Sequence, residues 1–130
     1  MIPGSDRDHP SFWQSFGFAI QGFRTTWQLE RNIKVMALIG IVAVILGLVL
    51  RISIEAWAII ILTIGAVIAG ELLNTAIETV VDLVSPEYHP LAGKAKDVAA
   101  AAVWVLSVAA APIAALVFGY YLLLRLGLLG

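Results

Sequence analysis

The sequence predicts an all-α integral membrane protein with three transmembrane helices and a separate amphipathic helix near the N-terminus. Hydrophobic residues make up 61% of the 130-residue chain and charged residues only 13%, whereas soluble domains carry about 25% charged residues. Such a chain has too little polar surface to cover a soluble globule. We therefore expect a single membrane domain over residues 1–130.

Charge, cysteine content and missing motifs exclude several functional classes. The net charge of −1 gives no reason to expect a nucleic-acid partner. The chain has no cysteine, so thiolate metal sites are excluded. It also lacks the glycine-rich phosphate loops of P-loop proteins and soluble kinases, and the Gly-x-Ser-x-Gly motif of hydrolases. Among the site chemistries considered, catalysis or metal binding by carboxylates remains.

Three apolar segments predict the membrane spans, at 35–50, 56–84 and 98–124. A helix over 56–84 would be ~43 Å long, which exceeds the ~30 Å hydrocarbon core. Its second half should therefore leave the bilayer. We expect Ser85 and Pro86 to end this helix, because proline disfavours helix in the residue before it, and a loop over 85–97 to follow.

Residues 11–29 predict a helix that lies on the membrane surface, with Ser11 as its N-cap. One side of this helix is aromatic and aliphatic and the opposite side is polar, as in interfacial helices. The apolar stripe consists of Phe12, Trp13, Phe16, Ala19, Ile20, Phe23 and Trp27. A core helix packed on the three spans is the alternative, and the two interpretations are compatible.

Basic residues near the spans predict the orientation, because they are enriched on the cytoplasmic side. The six on one side are Arg7, Arg24, Arg31, Lys34, Lys94 and Lys96, and the two on the other are Arg51 and Arg125. We expect a membrane protein with its N-terminus and its 85–97 segment in the cytoplasm.

Acidic residues at the end of the second span form the strongest candidate site. Glu71, Asn74, Glu78 and Asp82 fall on one stripe of a helix. Carboxylates beside a membrane segment are costly and usually functional. Glu71, at the hydrocarbon edge, suits a proton acceptor, and Glu78 suits Mg²⁺ together with phosphate oxygens.

Other residues extend this hypothesis, and each has a simpler alternative. Asn74 is suited to orient a carboxylate or to donate to a phosphate, and Lys94 and Lys96 to neutralise phosphate charge. Alternatively, Glu78 belongs to a solvated helix face and the lysines to the cytoplasmic flank. A functional alternative from another class is a non-catalytic membrane subunit, with Glu71 as an ion or proton relay.

A longer motif resembles the prokaryotic diacylglycerol kinase family, small integral-membrane lipid kinases unrelated to soluble kinases. The string runs Glu-Leu-Leu-Asn-Thr-Ala-Ile-Glu over 71–78, followed by Asp82, Glu87-Tyr-His89 and Ala-Lys96-Asp97. The resemblance implies a homotrimer that uses ATP and Mg²⁺ at sites shared between subunits. It implies Glu71 as catalytic base, Glu30 and Glu78 as Mg²⁺ ligands, and Asn74, Lys96 and Asp97 as nucleotide or active-site support.

The family has one branch that phosphorylates undecaprenol and one that phosphorylates diacylglycerol. Short strings in this chain favour undecaprenol as the lipid alcohol. The strings Leu29–Asn32, Asp82–Val84 and His89–Ala92 resemble the Gram-positive undecaprenol kinases. Members that phosphorylate diacylglycerol usually have a tyrosine where this chain has Phe18, and a second acid where it reads Ile33–Met36. We therefore expect an undecaprenol kinase, with a diacylglycerol kinase as the alternative.

Overall fold

The computed structural model describes residues 11–130, and the regular elements of this part are all α-helices. They are α1 (Phe12–Leu29), α2 (Arg31–Leu50), α3 (Ile54–Val84) and α4 (Pro90–Arg125). By length and composition α2, α3 and α4 qualify as membrane spans, which confirms the predicted multi-pass all-α class. The predicted domain also includes residues 1–10, with Arg7, which lie outside the described residues.

A single extended residue, Glu30, separates α1 from α2. Ser11 begins α1 with a capping box: its hydroxyl accepts from the Gln14 backbone N–H, and the Gln14 side chain accepts from the Ser11 N–H. The helix ends at Leu29 because Glu30 adopts φ −109° and ψ 127°. This bend lets α1 contact both α2 and α3 and places Glu30 at the end of the bundle where α3 carries its acids.

The opposite end of the bundle, which we call the hairpin end, holds the main apolar core. Leu50, Ile52, Ala56 and Ile60 are buried there around the α2–α3 turn. The Arg125 Nε donates to the Leu50 carbonyl at 2.9 Å, and the Tyr121 hydroxyl accepts from the Ser53 N–H at 3.1 Å. These bonds tie the end of α4 to the turn, and α3 and α4 form the most extensive helix pair.

Glycines let α2 approach α3 closely. A Cβ at Gly40 would lie 3.2 Å from the Ile64 side chain, and one at Gly47 would lie 2.6 Å from the Trp57 ring. Small residues at such points leave room for the side chains of the neighbouring membrane helix. The close packing fixes α2 beside α3 and so fixes which residues of the two helices meet near Glu71.

The predicted loop over 85–97 is wrong for its second half, because α4 begins at Pro90. The His89 side chain caps this helix by accepting from the Leu91 N–H at 3.2 Å. Proline is favoured in a first helical turn, where its missing N–H would have no partner. Lys94, Lys96 and Asp97 therefore lie on the first turns of α4, directly beside the end of α3.

Candidate active site

Glu71 is the most deeply buried ionisable group of the described residues. Its side chain is only 2% exposed, on α3 after a long apolar stretch. Thr26 is the other buried polar residue, and its hydroxyl donates to the Gly22 carbonyl at 3.1 Å. Burying a carboxylate is costly unless it is paired or coordinated, so Glu71 indicates a site rather than a packing position.

Two further carboxylates approach Glu71, and we call Glu30, Glu71 and Glu78 the carboxylate cluster. Glu30 comes from the bend between α1 and α2, and Glu78 lies two turns beyond Glu71 on α3. Both carboxylates lie close enough to Glu71 to repel it electrostatically. Such an arrangement of like charges is stabilised by a cation between them.

Asn74 adds a neutral oxygen to this group. Its Nδ2 donates to the Glu78 Oε1 at 3.0 Å, so the amide orients that carboxylate. Its Oδ1 is buried and has no hydrogen-bond partner among the described residues. A buried amide oxygen with a free lone pair is a ligand that a hard cation accepts.

The donor set fits Mg²⁺ bound together with a phosphate, rather than a metal held by protein alone. Within residues 11–130 no three histidines, cysteines or acids come together so that they alone could hold a metal ion. Mg²⁺ usually takes one or two carboxylates plus phosphate oxygens and waters. Glu30, Glu78 and the Asn74 oxygen therefore suit a shared site.

The predicted site residues on α4 divide into two groups. Lys96 forms an ion pair with Asp82 across α3 and α4 and also lies within electrostatic range of Glu78. Lys94 and Asp97 are exposed and form no side-chain hydrogen bond or ion pair with any other described residue. The structure thus brings Lys96 to the cluster and leaves Lys94 and Asp97 on the adjoining surface.

Asn32, near the start of α2, is a site residue that the sequence analysis missed. Its side chain lies close to the Glu71 carboxylate across the α2–α3 interface. Sequence reasoning used Asn32 only as part of the string over 29–32. The available signal was its position two residues after Glu30, in the first turn of an apolar helix.

An apolar cavity of about 690 Å³ lies between α2, α3 and α4 and ends beside Asn32. Aliphatic side chains and small residues line most of it, and Arg31 and Asn32 stand at its polar end. A pocket of this size holds a ligand of drug-like dimensions. Its lining suits a hydrocarbon chain, and its polar end suits a lipid headgroup.

Comparison with known proteins identifies the group to which the chain belongs. The sequence profile of prokaryotic diacylglycerol kinases matches residues 17–118, which include the carboxylate cluster, Asn32, Asn74 and Lys96. The chain belongs to the prokaryotic diacylglycerol kinase family. This confirms the family inferred from the 71–78 string and makes the protein a membrane-embedded lipid kinase.

Relatives in the family differ in the lipid for which they are named. An undecaprenol kinase of Bacillus subtilis is 44% identical over 82% of this chain and 87% of its own length. A diacylglycerol kinase of Escherichia coli is 33% identical over 72% of this chain and 77% of its own. A diacylglycerol kinase of Helicobacter pylori is 28% identical over 78% of this chain and 79% of its own.

Proposed function

We propose that this lipid kinase transfers the γ-phosphate of ATP to undecaprenol. The observation that carries the proposal is Glu71, a carboxylate 2% exposed at the end of an apolar helix, with Glu30 and Glu78 in electrostatic range. The 44% identity to an undecaprenol kinase, against 33% and 28% to diacylglycerol kinases, supports the choice of lipid. Because the family consists of kinases, the alternative of a non-catalytic relay subunit is not supported.

Glu71 acts as the general base of the transfer. The hydroxyl oxygen of the lipid attacks the γ-phosphorus, its proton passes to a Glu71 carboxylate oxygen, and the bond from phosphorus to the ADP oxygen breaks. A base at the edge of the hydrocarbon is placed where a lipid hydroxyl and a cytoplasmic nucleotide can meet. Burial also removes the hydration that would otherwise compete for the proton.

Glu30 and Glu78 would hold Mg²⁺, with the Asn74 oxygen as a further donor. When bound, Mg²⁺ neutralises charge on the phosphate oxygens during transfer. The Asn74 amide holds Glu78 in place by the 3.0 Å hydrogen bond. This role for Asn74 agrees with the orienting role expected from its position in the motif.

Lys96 neutralises phosphate charge next to the carboxylate cluster, oriented by its ion pair with Asp82. Lys94 and Asp97, exposed on the first turns of α4, complete the nucleotide-binding surface beside Lys96. Because α3 and α4 pack along each other, the Asp82–Lys96 pair holds this nucleotide-binding surface against the helix that carries the base.

Substrate choice is tested by offering both lipids to the purified protein. In phosphatidylglycerol vesicles with radiolabelled ATP and Mg²⁺, we expect labelled undecaprenyl phosphate to form at least ten times faster than labelled phosphatidic acid from equimolar diacylglycerol. Equal or reversed rates would assign the protein to the diacylglycerol branch. Omission of Mg²⁺ provides the blank for both lipids.

The surface helix α1 lies in the membrane interface and brings the lipid headgroup to the level of Glu71. Its aromatic side chains support this location, because Phe12 and Trp13 are 75% and 78% exposed. Aromatic side chains of this kind are stabilised at the boundary between headgroups and hydrocarbon. Contacts of α1 with α2 and α3 leave its aromatic N-terminal half free to meet lipid.

The N-terminus and the carboxylate cluster face the cytoplasm of a bacterial inner membrane. Arg24, Arg31, Lys34, Lys94 and Lys96 lie at the Glu71 end, whereas Arg51 and Arg125 lie at the hairpin end. A periplasmic alkaline phosphatase reporter fused after Gly130 is expected to be active. Activity of a cytoplasmic reporter at the same position would reverse the orientation.

The protein assembles as a homotrimer whose subunits share sites. Small residues support close approach of α4 to a neighbouring helix, and they are Ala99–Ala102, Ala109–Ala111, Ala114 and Ala115. Native mass spectrometry of the detergent-solubilised protein should give three chains. A fully active monomer would contradict shared sites.

A further inference from the structure

We propose that Gly70 and Leu106 form a positioning contact for Lys96, because a leucine seated over a glycine sets how far α4 lies along α3. The inference rests on the proposed function, since it concerns the lysine that neutralises phosphate charge there. It adds two residues without polar side chains to a site that is otherwise built from charged and polar groups.

The first observation is the close fit of Leu106 over Gly70. A Cβ added at Gly70 would lie 2.5 Å from the Leu106 Cδ1 and 3.9 Å from its Cγ, and the shorter of these distances is well inside van der Waals contact. Leu106 therefore occupies the space that a side chain at position 70 would fill. A side chain that fits into the surface of the facing helix in this way resists sliding of one helix along the other.

The second observation is the Asp82–Lys96 ion pair, which joins the same two helices near the end of α3. The two contacts run from 70 to 82 on α3 and from 106 to 96 on α4, so the helices are antiparallel. Gly70 and Asp82 are ~18 Å apart along α3, and Leu106 and Lys96 are ~15 Å apart along α4. The lysine side chain is long enough to cover the difference, so one register of α4 on α3 satisfies both contacts.

The face of α4 between these two contacts is apolar. Ala99 and Val103 are buried there, and together with Leu106 they follow the spacing of one helix face. At the same levels α3 carries Asn74 and Glu78, which are joined by the 3.0 Å hydrogen bond. No hydrogen bond among the described residues links α3 to α4 along this stretch, so the register depends on the contacts at its two ends.

Pro112 lies between Leu106 and the bonds that hold α4 at the hairpin end. Proline has no N–H, so the Val108 carbonyl lacks its helical partner. The half of α4 that carries Lys96 can therefore shift along α3 without breaking the bonds at the hairpin end. The contact of Leu106 with α3 limits this movement.

The consequence for the site is geometric. A shift of α4 by one residue would move Lys96 by about 1.5 Å, while Asn74 and Glu78 stay in place on α3. The Lys96 ammonium would then no longer meet the phosphates of a nucleotide that Glu78 orients. Gly70 and Leu106 act on the nucleotide only through Lys96, which makes them positioning residues.

The binding test compares Gly70→Ala with Gly65→Ala in phosphatidylglycerol vesicles that contain Mg·ATP and no lipid alcohol. Gly65 is the matched control on the same helix, because a Cβ there would meet nothing within 4 Å. We expect the Kd for Mg·ATP to rise about tenfold in Gly70→Ala, as for a weakened hydrogen bond to a charged group, and to stay within about twofold of the wild type in Gly65→Ala. Adding Leu106→Ala to Gly70→Ala makes room for the new Cβ and should restore most of the affinity.

A second background separates positioning from a general structural role. In Lys96→Ala the Kd for Mg·ATP should change by less than about twofold on adding Gly70→Ala, because effects that act through one group are not additive. An equal rise in both backgrounds, an unchanged Kd in Gly70→Ala, or no recovery on adding Leu106→Ala would overturn the proposal.

A spectroscopic readout measures the register itself. The chain has no cysteine, so spin labels can be placed on cysteines at the exposed positions Leu83 and Val98, with labelled chains diluted by unlabelled ones so that only distances within a subunit contribute. The distance between the labels should shift by about 1.5 Å in Gly70→Ala, return on adding Leu106→Ala and stay unchanged in Gly65→Ala.

The two readouts distinguish this proposal from the proposed function. An unshifted label distance in Gly70→Ala would overturn the positioning role even if the lipid kinase assay behaves as proposed. A shifted distance together with weaker Mg·ATP binding, both restored by Leu106→Ala, would support the role even in a protein that phosphorylates no undecaprenol, and would then overturn only the function.

Discussion

Replacing Glu71 by glutamine is expected to lower the rate of lipid phosphorylation by about 10²–10⁴-fold, the contribution of a positioned general base. Glutamine preserves the volume of the side chain, which is 2% exposed, but it cannot take up the proton. We expect the variant to insert, to assemble as the wild type does and to bind Mg·ATP, because Glu78, Asn74 and Lys96 are unchanged. The measurement is labelled phosphate transfer to undecaprenol, with nucleotide binding determined in parallel.

Two further variants test whether the activity lost in Glu71→Gln reflects a missing general base. Glu71→Asp should recover little activity, because a carboxylate withdrawn by about an ångström costs ~10²-fold. Glu55→Gln makes the same substitution on the exposed first turn of the same helix and should keep full activity. Near-normal turnover of an assembled Glu71→Gln protein would make Glu71 structural, and Asp97 would then be the next candidate for the base.

Replacing Glu78 by glutamine is expected to lower activity by about 10²-fold at a fixed Mg²⁺ concentration and to raise the Mg²⁺ concentration needed for half-maximal rate. A hard divalent cation depends on carboxylate charge, which the amide lacks. The Asn74 amide can still donate to the glutamine oxygen, so the local structure is preserved. Titration of initial rates with Mg²⁺ gives both quantities.

The same titration on Glu30→Gln tests whether the bend between α1 and α2 supplies the second ligand. We expect a parallel increase in the Mg²⁺ requirement, and Glu55→Gln serves again as the matched control. Direct binding of Mn·ATP, followed by electron paramagnetic resonance, separates weaker metal binding from slower chemistry. Unchanged Mg²⁺ dependence in both variants would place Glu30 and Glu78 on a solvated face.

The helical architecture could be predicted because composition and uninterrupted apolar length are sufficient to identify membrane spans. The length of α3 also indicated that its acidic end leaves the bilayer. The predicted loop over 85–97 was wrong from Pro90 onward, because α4 begins at this residue. Proline both ends helices and begins them, and only the cap on its N-terminal side, here His89, decides between the two.

The candidate site was predictable where its residues share one helix. Glu71, Asn74 and Glu78 follow the helical period, so their common face can be read from spacing. Glu30 reaches the cluster through a bend between helices, which no periodicity describes, and its role came from the family motif. Asn32 and the Asp82–Lys96 pair depend on how α2 and α4 rest against α3. That packing follows from glycine contacts such as Gly40 with Ile64, which spacing along the chain does not encode.

Transfer of γ-phosphate to undecaprenol by wild type and Glu71→Gln, in the same vesicles, tests most directly whether a buried carboxylate makes this chain a lipid kinase. With [γ-³²P]ATP and Mg²⁺, the wild type should yield labelled undecaprenyl phosphate, and Glu71→Gln should yield about 10²–10⁴-fold less at equal bound nucleotide. Equal labelling of lipid by the two proteins, or no labelled lipid from the wild type, would contradict the account.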